Sequence, residues 1–392
     1  MSPVLLIPIA VLGLFGVLLY RRLVRAPRYT SPWVRWGAIA ALVALSAAIF
    51  VGFSYQGGGL DHPVARWVGT IGMTWIATAF YLLLGSLVGA VGALVLRILR
   101  RGPQARRTWH RRSVPVIVAA SLLITGWGLL EARQVSVQET SIAIEGLPEE
   151  FDGYRVALIS DLHVGPIRGD RLTRQVVELA NAGEPDLVLL AGDLTDGTTD
   201  QFAEVLGPLA DLRAADGVLA ATGNHEYYAG DAAGWVSWWR ELGITPLLND
   251  SVPISRDGAS IRIAGVSDEA GESGGFGGGS DAPSTPGLLP DLGAALADVG
   301  ADEVSILVAH QPGVAEDERV RAAGVDVMVS GHTHGGQIWP FTLVVALANP
   351  TVSGWDSVAG TTTFTTVGAG TWGPPTRVLV PPEVVVITLT AG

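Results

Sequence analysis

The sequence predicts an α/β domain preceded by an α-helical membrane domain, and three observations predict it. The first is a split in charge. Residues 1–134 hold 14 arginines against two acids, Asp61 and Glu131, a balance of +12; residues 135–392 hold 11 arginines against 35 acids, a balance of −24, and the two sum to the overall −12. The second is that long uncharged stretches are confined to the first part. The third is that, in the second part, short runs rich in Val, Ile and Leu alternate with segments of helical pattern. Two parts of opposite charge call for two environments. Two domains also suit a chain of 392 residues, divided as 1–134 and 135–392.

In the first part, four stretches lack any charge: 1–20, 36–60, 67–96 and 113–130. Each reaches the roughly 18 residues that a transmembrane helix needs. A secretory signal would carry positive residues ahead of its apolar core. The first stretch has none, so it reads as a span. Four such stretches in so short a region disfavour buried core helices. Arg21, Arg22, Arg25, Arg28 and Arg35 fall between the first two spans, and Arg97, Arg100, Arg101, Arg106, Arg107, Arg111 and Arg112 between the last two. The connection 54–66 carries one Arg and one Asp. Positive loops stay in the cytoplasm, which puts both termini outside and makes the second part extracytoplasmic. Between two spans, the cluster at 97–112 suits anionic lipid headgroups better than nucleic acid. No ionisable residue lies deep in a span, which disfavours a transporter. This part therefore reads as a multi-pass anchor in the cell membrane, with lipids as its partners.

The second part carries apolar runs at 155–160, 187–191, 217–221, 261–266, 305–309, 325–329, 361–367 and 384–389. Continuous runs of this length read as buried strands. Helical segments are expected at 171–182, 202–214 and 232–242, and the alternation indicates an α/β sheet domain. The acidic balance argues against a nucleic-acid partner. The chain has no cysteine, which excludes disulfides, thiolate metal sites and Cys nucleophiles. Residues 268–290 are rich in Gly, Ser and Pro and read as a loop, either a surface insertion or a lid.

Chemistry gathers at the ends of five predicted strands. The run at 155–160 leads into Asp161 and His163, and that at 187–191 into Gly192 and Asp193. The run at 217–221 leads into GNHE at 223–226, with Asn224 and His225. That at 305–309 leads into His310, and that at 325–329 into GHTH at 331–334, with His332 and His334. Ligand sites of open α/β sheets lie at the carboxyl ends of strands. Five of the seven histidines lie in these blocks. Together with two Asp and an Asn they exceed what structural histidines explain.

The blocks D-x-H, GD, GNH[DE], H and GHxH, all present in order over residues 161–334, resemble the calcineurin-like metallophosphoesterase family. The resemblance covers roughly residues 150–392. The runs GHTHGGQIWP and GTWGPPTRVLVPPE resemble a membrane-associated bacterial subgroup, some of which are described as phosphodiesterases or as similar to UDP-diacylglucosamine pyrophosphatase. The resemblance implies a four-layer α/β/β/α sandwich and two divalent metal ions. Asp161, His163, Asp193 and His334 would hold one ion; Asp193, Asn224, His310 and His332 would hold the other, with Asp193 bridging. Mixed imidazole, carboxylate and amide ligation without sulfur suits Mn, Fe or Zn.

The expected reaction is hydrolysis of a phosphoester by a metal-bridging hydroxide. Outside the ligand set, His225 is left as the catalytic residue that protonates the leaving oxygen or stabilises the transition state. Glu226 would hold the His225 imidazole or form a salt bridge elsewhere. The preferred substrate is a phosphodiester or pyrophosphate in a lipid or cell-envelope molecule, a preference that rests on location and subgroup. The rivals are an extracytoplasmic phosphomonoesterase or nucleotide hydrolase, and a membrane sensor or scaffold with an inert metal domain. Three weaker signals accompany these. GAGTWG at 368–373 fits a dinucleotide motif, but Pro374 and Pro375 follow where a helix is required, so it reads as a glycine-rich turn beside the site. Arg377 reads as a surface residue or a contact for substrate phosphate. Trp235, Trp238 and Trp239 share a helix face and read as core packing, with a lipid- or substrate-facing patch as the alternative.

Overall fold

The computed structural model describes residues 3–56, 60, 62–165, 169–273, 286–300 and 303–392, the side chains of 3–8 and 273 excepted. The chain divides into two compact units: a helical one, and an α/β one holding 131–372 and 377–392.

The helical unit comprises α1 (Pro3–Tyr20), α2 (Pro32–Gln56), α3 (Pro63–Ile98) and α4 (Pro103–Glu131). Among the described residues, α2, α3 and α4 are long and apolar enough to cross a membrane, with mean hydropathy of 2.2, 2.2 and 1.9 over their most apolar windows. α3 and α4 are longer than the uncharged stretches that announced them, and α2 begins four residues ahead of its stretch. A proline opens all three, where its missing N–H costs nothing, and arginine is a good helix former. Arg106, Arg107, Arg111 and Arg112 thus ride on the first turns of α4 instead of a loop, and Arg21, Arg22 and Arg25 lie on a π-helical turn that continues α1. Within this unit α2 and α3 meet at small residues. A Cβ on Gly72 would collide with the backbone of Ala48, so glycine there lets the two backbones touch.

The α/β unit is built on twelve strands. They are β1 (Ser136–Ile144), β2 (Arg155–Ile159), β3 (Leu187–Ala191), β4 (Val218–Ala221), β5 (Thr245–Pro246), β6 (Asp250–Arg256), β7 (Ala259–Gly265), β8 (Ser305–Val308), β9 (Val327–Ser330), β10 (Gly354–Val358), β11 (Thr361–Thr365) and β12 (Glu383–Ala391). They form two six-stranded mixed sheets, ordered β1-β12-β2-β3-β4-β5 and β10-β11-β9-β8-β7-β6. In the first, β2, β3, β4 and β5 are mutually parallel and β12 runs against β2; in the second, β7, β8, β9 and β11 are parallel, with β6 and β10 antiparallel at the edges. The helices are α5 (Asp170–Ala182), α6 (Thr199–Leu206), α7 (Asn224–Tyr228), α8 (Ala232–Glu241), α9 (Ala270–Ser273), α10 (Leu292–Ala295), α11 (Glu318–Ala323) and α12 (Thr342–Val345). The helix expected at 202–214 starts earlier and ends sooner. A capping box of Thr198 and Gln201 sets its start. Past Leu206 the chain tightens into a 3-10 turn, Gly207–Asp211, where Pro208 lacks the N–H for an α-helical bond. The loop read over 268–290, a surface insertion or a lid, falls mainly on 274–285, outside the described residues.

Strand alternation distributes the core. In β2, Val156 and Leu158 point to a core shared by both sheets, where they join Ile261, Ile263, Ile306, Val308, Val327 and Val329 of the second sheet. Ala157 and Ile159 point the other way, to a core formed with α5 and α8. Leu307 and Met328 pack on the far side of the second sheet with Leu292 of α10 and Val320 of α11. Burying each such Leu or Ile contributes roughly 1.5–3 kcal/mol. The shared core therefore locks the two sheets together, and with them the strand ends that carry the candidate site.

Candidate metal centre

The site residues leave the carboxyl ends of β2, β3, β4, β8 and β9 through tight backbone turns. Asp161, His163, Asp193, His332 and His334 have φ of 56°, 44°, 54°, 71° and 51°. Left-handed backbone is uncommon outside glycine and costs roughly 1–3 kcal/mol per residue in strained cases. Five such residues at one place mean that the surrounding structure overrides local preference. The loops hold one another. The Asp161 amide donates to Gly192 O (3.1 Å) and the His163 amide to Asp193 O (3.0 Å); the His225 amide donates to Asp193 Oδ1 (2.8 Å) and the His332 amide to Asp161 Oδ2 (3.1 Å). At Gly192 (φ 82°) a Cβ would run into the Gly223 backbone, so the β3 and β4 turns meet only because both are glycine.

All eight residues read from the sequence come together. His163 Nε2 lies 2.9 Å from His334 Nε2, 3.8 Å from Asp161 Oδ1 and 3.6 Å from Asp193 Oδ2, and His334 Nε2 lies 3.3 Å from Asp161 Oδ1. On the other side of Asp193, His310 Nε2 lies 3.2 Å from Asp193 Oδ2 and 3.1 Å from Asn224 Oδ1, while His332 Nδ1 lies 2.9 Å from Asn224 Oδ1 and 3.3 Å from His310 Nε2. Groups drawn from Asp161, His163, Asp193, His225, His310 and His334 can hold a metal ion. The far side of two rings is fixed. His163 Nδ1 donates to Asp196 Oδ1 (2.8 Å) and His310 Nδ1 to Ala191 O (2.7 Å). Each ring therefore turns its Nε2 lone pair inward, as a metal ligand must.

Charge in the cluster is governed by burial and by the neighbours. Burial would raise Asp161, but the neighbouring His334, His163 and His310 rings hold it well below the usual carboxylate range. Asp193 is depressed likewise, against burial, chiefly by His310 and His225. Asp196 is lowered to about 2, burial being outweighed by His163 and His225. Burial would lower His163, but Asp196 and Asp161 bring it up to about 10, and Asp193 raises His310 in the same way. His332 is lowered to about 4 by burial and the His310 charge. His334 is lowered by burial, with His163 and Arg377 adding to it against Asp161. The three buried carboxylates Asp161, Asp193 and Asp196 are offset by the raised His163 and His310, a positive charge that divalent metal can supply in their place. Carboxylate charge is costly to bury unless cations offset it, so the donor set fits divalent metal.

Asp196, Glu226 and Arg377 take their places from the structure. Asp196, absent from the sequence reading, lies 2.8 Å from His163 Nδ1 and 2.9 Å from His225 Nδ1 through a single oxygen. Its only sequence signal is its place three residues beyond Asp193. Glu226 neither holds the His225 ring nor makes a salt bridge. It is fully buried and accepts the amides of Gly223 (2.8 Å), Leu194 (2.8 Å) and Asp193 (3.1 Å), because a carboxylate at the third position of α7 reaches back over the helix start. Burial and the Asp193 charge push it up to about 7. Arg377 is neither at the surface nor placed to meet substrate. It is fully buried and donates to the carbonyls of Gly370, Val367, Gly368 and Val380, with His334 Nδ1 at 3.4 Å. Trp235 and Trp239 are fully buried in the core behind the first sheet, with Trp238 packed against it. The turn at 368–373 does lie beside the site: the Ala369 amide donates to Ser160 O (3.1 Å) and the Gly370 amide to Asp161 O (2.8 Å).

Two mixed sheets with carboxylates, imidazoles and an amide gathered at their strand ends define an α/β metal-centre hydrolase. The family model for calcineurin-like phosphoesterases matches residues 154–336. A Caenorhabditis elegans metallophosphoesterase is 35% identical over 259 residues, which are 65% of this chain and 52% of that one. A Danio rerio transmembrane protein with a metallophosphoesterase domain is 30% identical over 320 residues, 80% of this chain and 71% of that one. A Campylobacter jejuni metallophosphoesterase is 26% identical over 391 residues, 98% of this chain and 97% of that one. The chain thus spans about half the length of the nematode relative. It belongs to the calcineurin-like phosphoesterase family.

Proposed function

We propose that this protein is a membrane-anchored hydrolase of phosphodiesters or pyrophosphates in a lipid or cell-envelope molecule. Residues 1–134 are the anchor, with α1 adding a fourth span, and residues 135–392 are the phosphoesterase domain, a four-layer α/β/β/α sandwich. The arginines of the first and third connections favour an extracytoplasmic catalytic domain.

The observation that carries the reading is the position of Asp193. Its Oδ2 stands 3.6 Å from His163 Nε2 and 3.2 Å from His310 Nε2, between two clusters of donors. Asp161, His163, Asp193 and His334 would hold one divalent ion and Asp193, Asn224, His310 and His332 the other. The donors suit Mn, Fe or Zn alike. When bound, such a pair supplies a water made nucleophilic near neutral pH and offsets charge on the phosphoryl oxygens. The remaining work belongs to the chain. Asp196 accepts from His225 Nδ1, so a His225 imidazolium would carry its second proton on Nε2, pass it to the leaving oxygen and remain as the neutral ring bonded to Asp196.

Full-length protein with Mn²⁺ should hydrolyse bis(p-nitrophenyl) phosphate faster than p-nitrophenyl phosphate. The reverse order would make it a monoesterase, and turnover of neither with metal bound would make it a scaffold.

A further inference from the structure

Large apolar side chains that stay exposed in the α/β unit are gathered in one place. Among its described residues, Leu289 alone lies elsewhere; the rest fall in 339–347 and at Trp372 and Leu379. Residues 337–355 carry no charge, in a domain whose balance is −24. Helix α12 buries none of its residues. Leu343 is 66% exposed, Val344 52%, Leu347 88% and Leu379 68%, and Trp339 and Trp372 are half-exposed. The two segments are tied side by side. The Trp339 amide donates to Val378 O (3.0 Å), Gln337 Nε2 donates to Trp372 O (3.1 Å), and the Trp372 amide donates to Gln337 Oε1 (2.9 Å). The Trp372 ring stands 6.0 Å from the His225 ring. An uncharged apolar strip therefore starts beside the metal cluster and ends at α12.

We infer that this strip is a membrane-docking face that seats in the bilayer to which the chain's own helices anchor it. Segregated apolar exposure of this size marks an interaction surface. Leu and Val tips flanked by Trp, with no charge among them, match the chemistry of the lipid interface, where tryptophan concentrates. The same chain carries three helices able to cross a membrane, so a bilayer is always at hand. Docking there would bring lipid headgroups to the site beside Trp372. That consequence rests on the phosphoesterase reading above; the docking itself does not.

The chain has no cysteine, so L347C accepts a single fluorophore in full-length protein, with L343C as a second position and E318C, on α11, as the control. In nanodiscs of phosphatidylethanolamine and phosphatidylglycerol at one chain per disc, doxyl-labelled lipid should quench label at 347 and 343 several-fold more than at 318. Equal quenching at all three positions would overturn the docking face. So would shielding of 347 that arises only with two chains per disc, since the occupant would then be a second copy. Docking without turnover of lipid phosphodiesters would leave the face standing and sink the substrate assignment.

Discussion

His163 and His225 share one carboxylate oxygen, and this sets what each ring can do. Asp196 accepts from both Nδ1 atoms at 2.8 and 2.9 Å. In the proposed function His163 would turn Nε2 to the metal, and His225, outside the ligand set, would use Nε2 for proton transfer. Loss of a ring that only moves a proton lowers turnover by roughly 10²–10⁴, so H225A should lose kcat on that order and retain its metal. Loss of a carboxylate that orients a ligand costs roughly 10–100-fold in metal affinity or activity, so D196A should lose metal affinity as well as kcat. Metal titration alongside turnover separates the two; D196A binding metal as tightly as the parent would contradict the shared role. The eight expected residues were legible because each follows a strand-like apolar run. Asp196 was not, because an acid in a loop acquires meaning only when two strand ends bring two rings to it. Arg377 was hidden for a related reason. A buried arginine needs several carbonyls turned inward, and the turns that supply them leave no periodic trace in the sequence.

At the scale of elements, Glu226 ties the turn after β3 to the start of α7. It accepts three buried backbone amides. Each buried donor left without an acceptor costs roughly 1–3 kcal/mol, so E226A should lose on the order of 3 kcal/mol or more. For a domain of this size, that lowers Tm by on the order of 10 °C. Thermal unfolding of E226A checks this, and a Tm within a degree or two of the parent would show the clamp to be idle. The buried strands were legible as continuous apolar runs. The unforeseen strands β1, β5, β6 and β10 are the sheet edges. β1, β6 and β10 are half-exposed along their length, and β5 has two residues, so none builds an apolar run. The membrane helices were legible in kind but not in length, because their basic ends continue the helix without adding to hydropathy.

On the scale of the molecule, parallel strands in both sheets explain why distant blocks of sequence converge. The second sheet was invisible as a separate body, since an apolar run does not say which sheet it joins; the shared core of Val156, Leu158, Ile263 and Val329 does. In the proposed function a paired metal centre in this family fold would perform phosphoester hydrolysis. The most direct measurement is metal content per chain together with bis(p-nitrophenyl) phosphate turnover, in parent and D193N, before and after chelation and Mn²⁺ return. The parent chain should hold about two ions, its turnover should fall with chelation and recover with Mn²⁺, and D193N should be deficient in both. Turnover that survives complete metal removal, or D193N turnover equal to that of the parent, would contradict the proposed function.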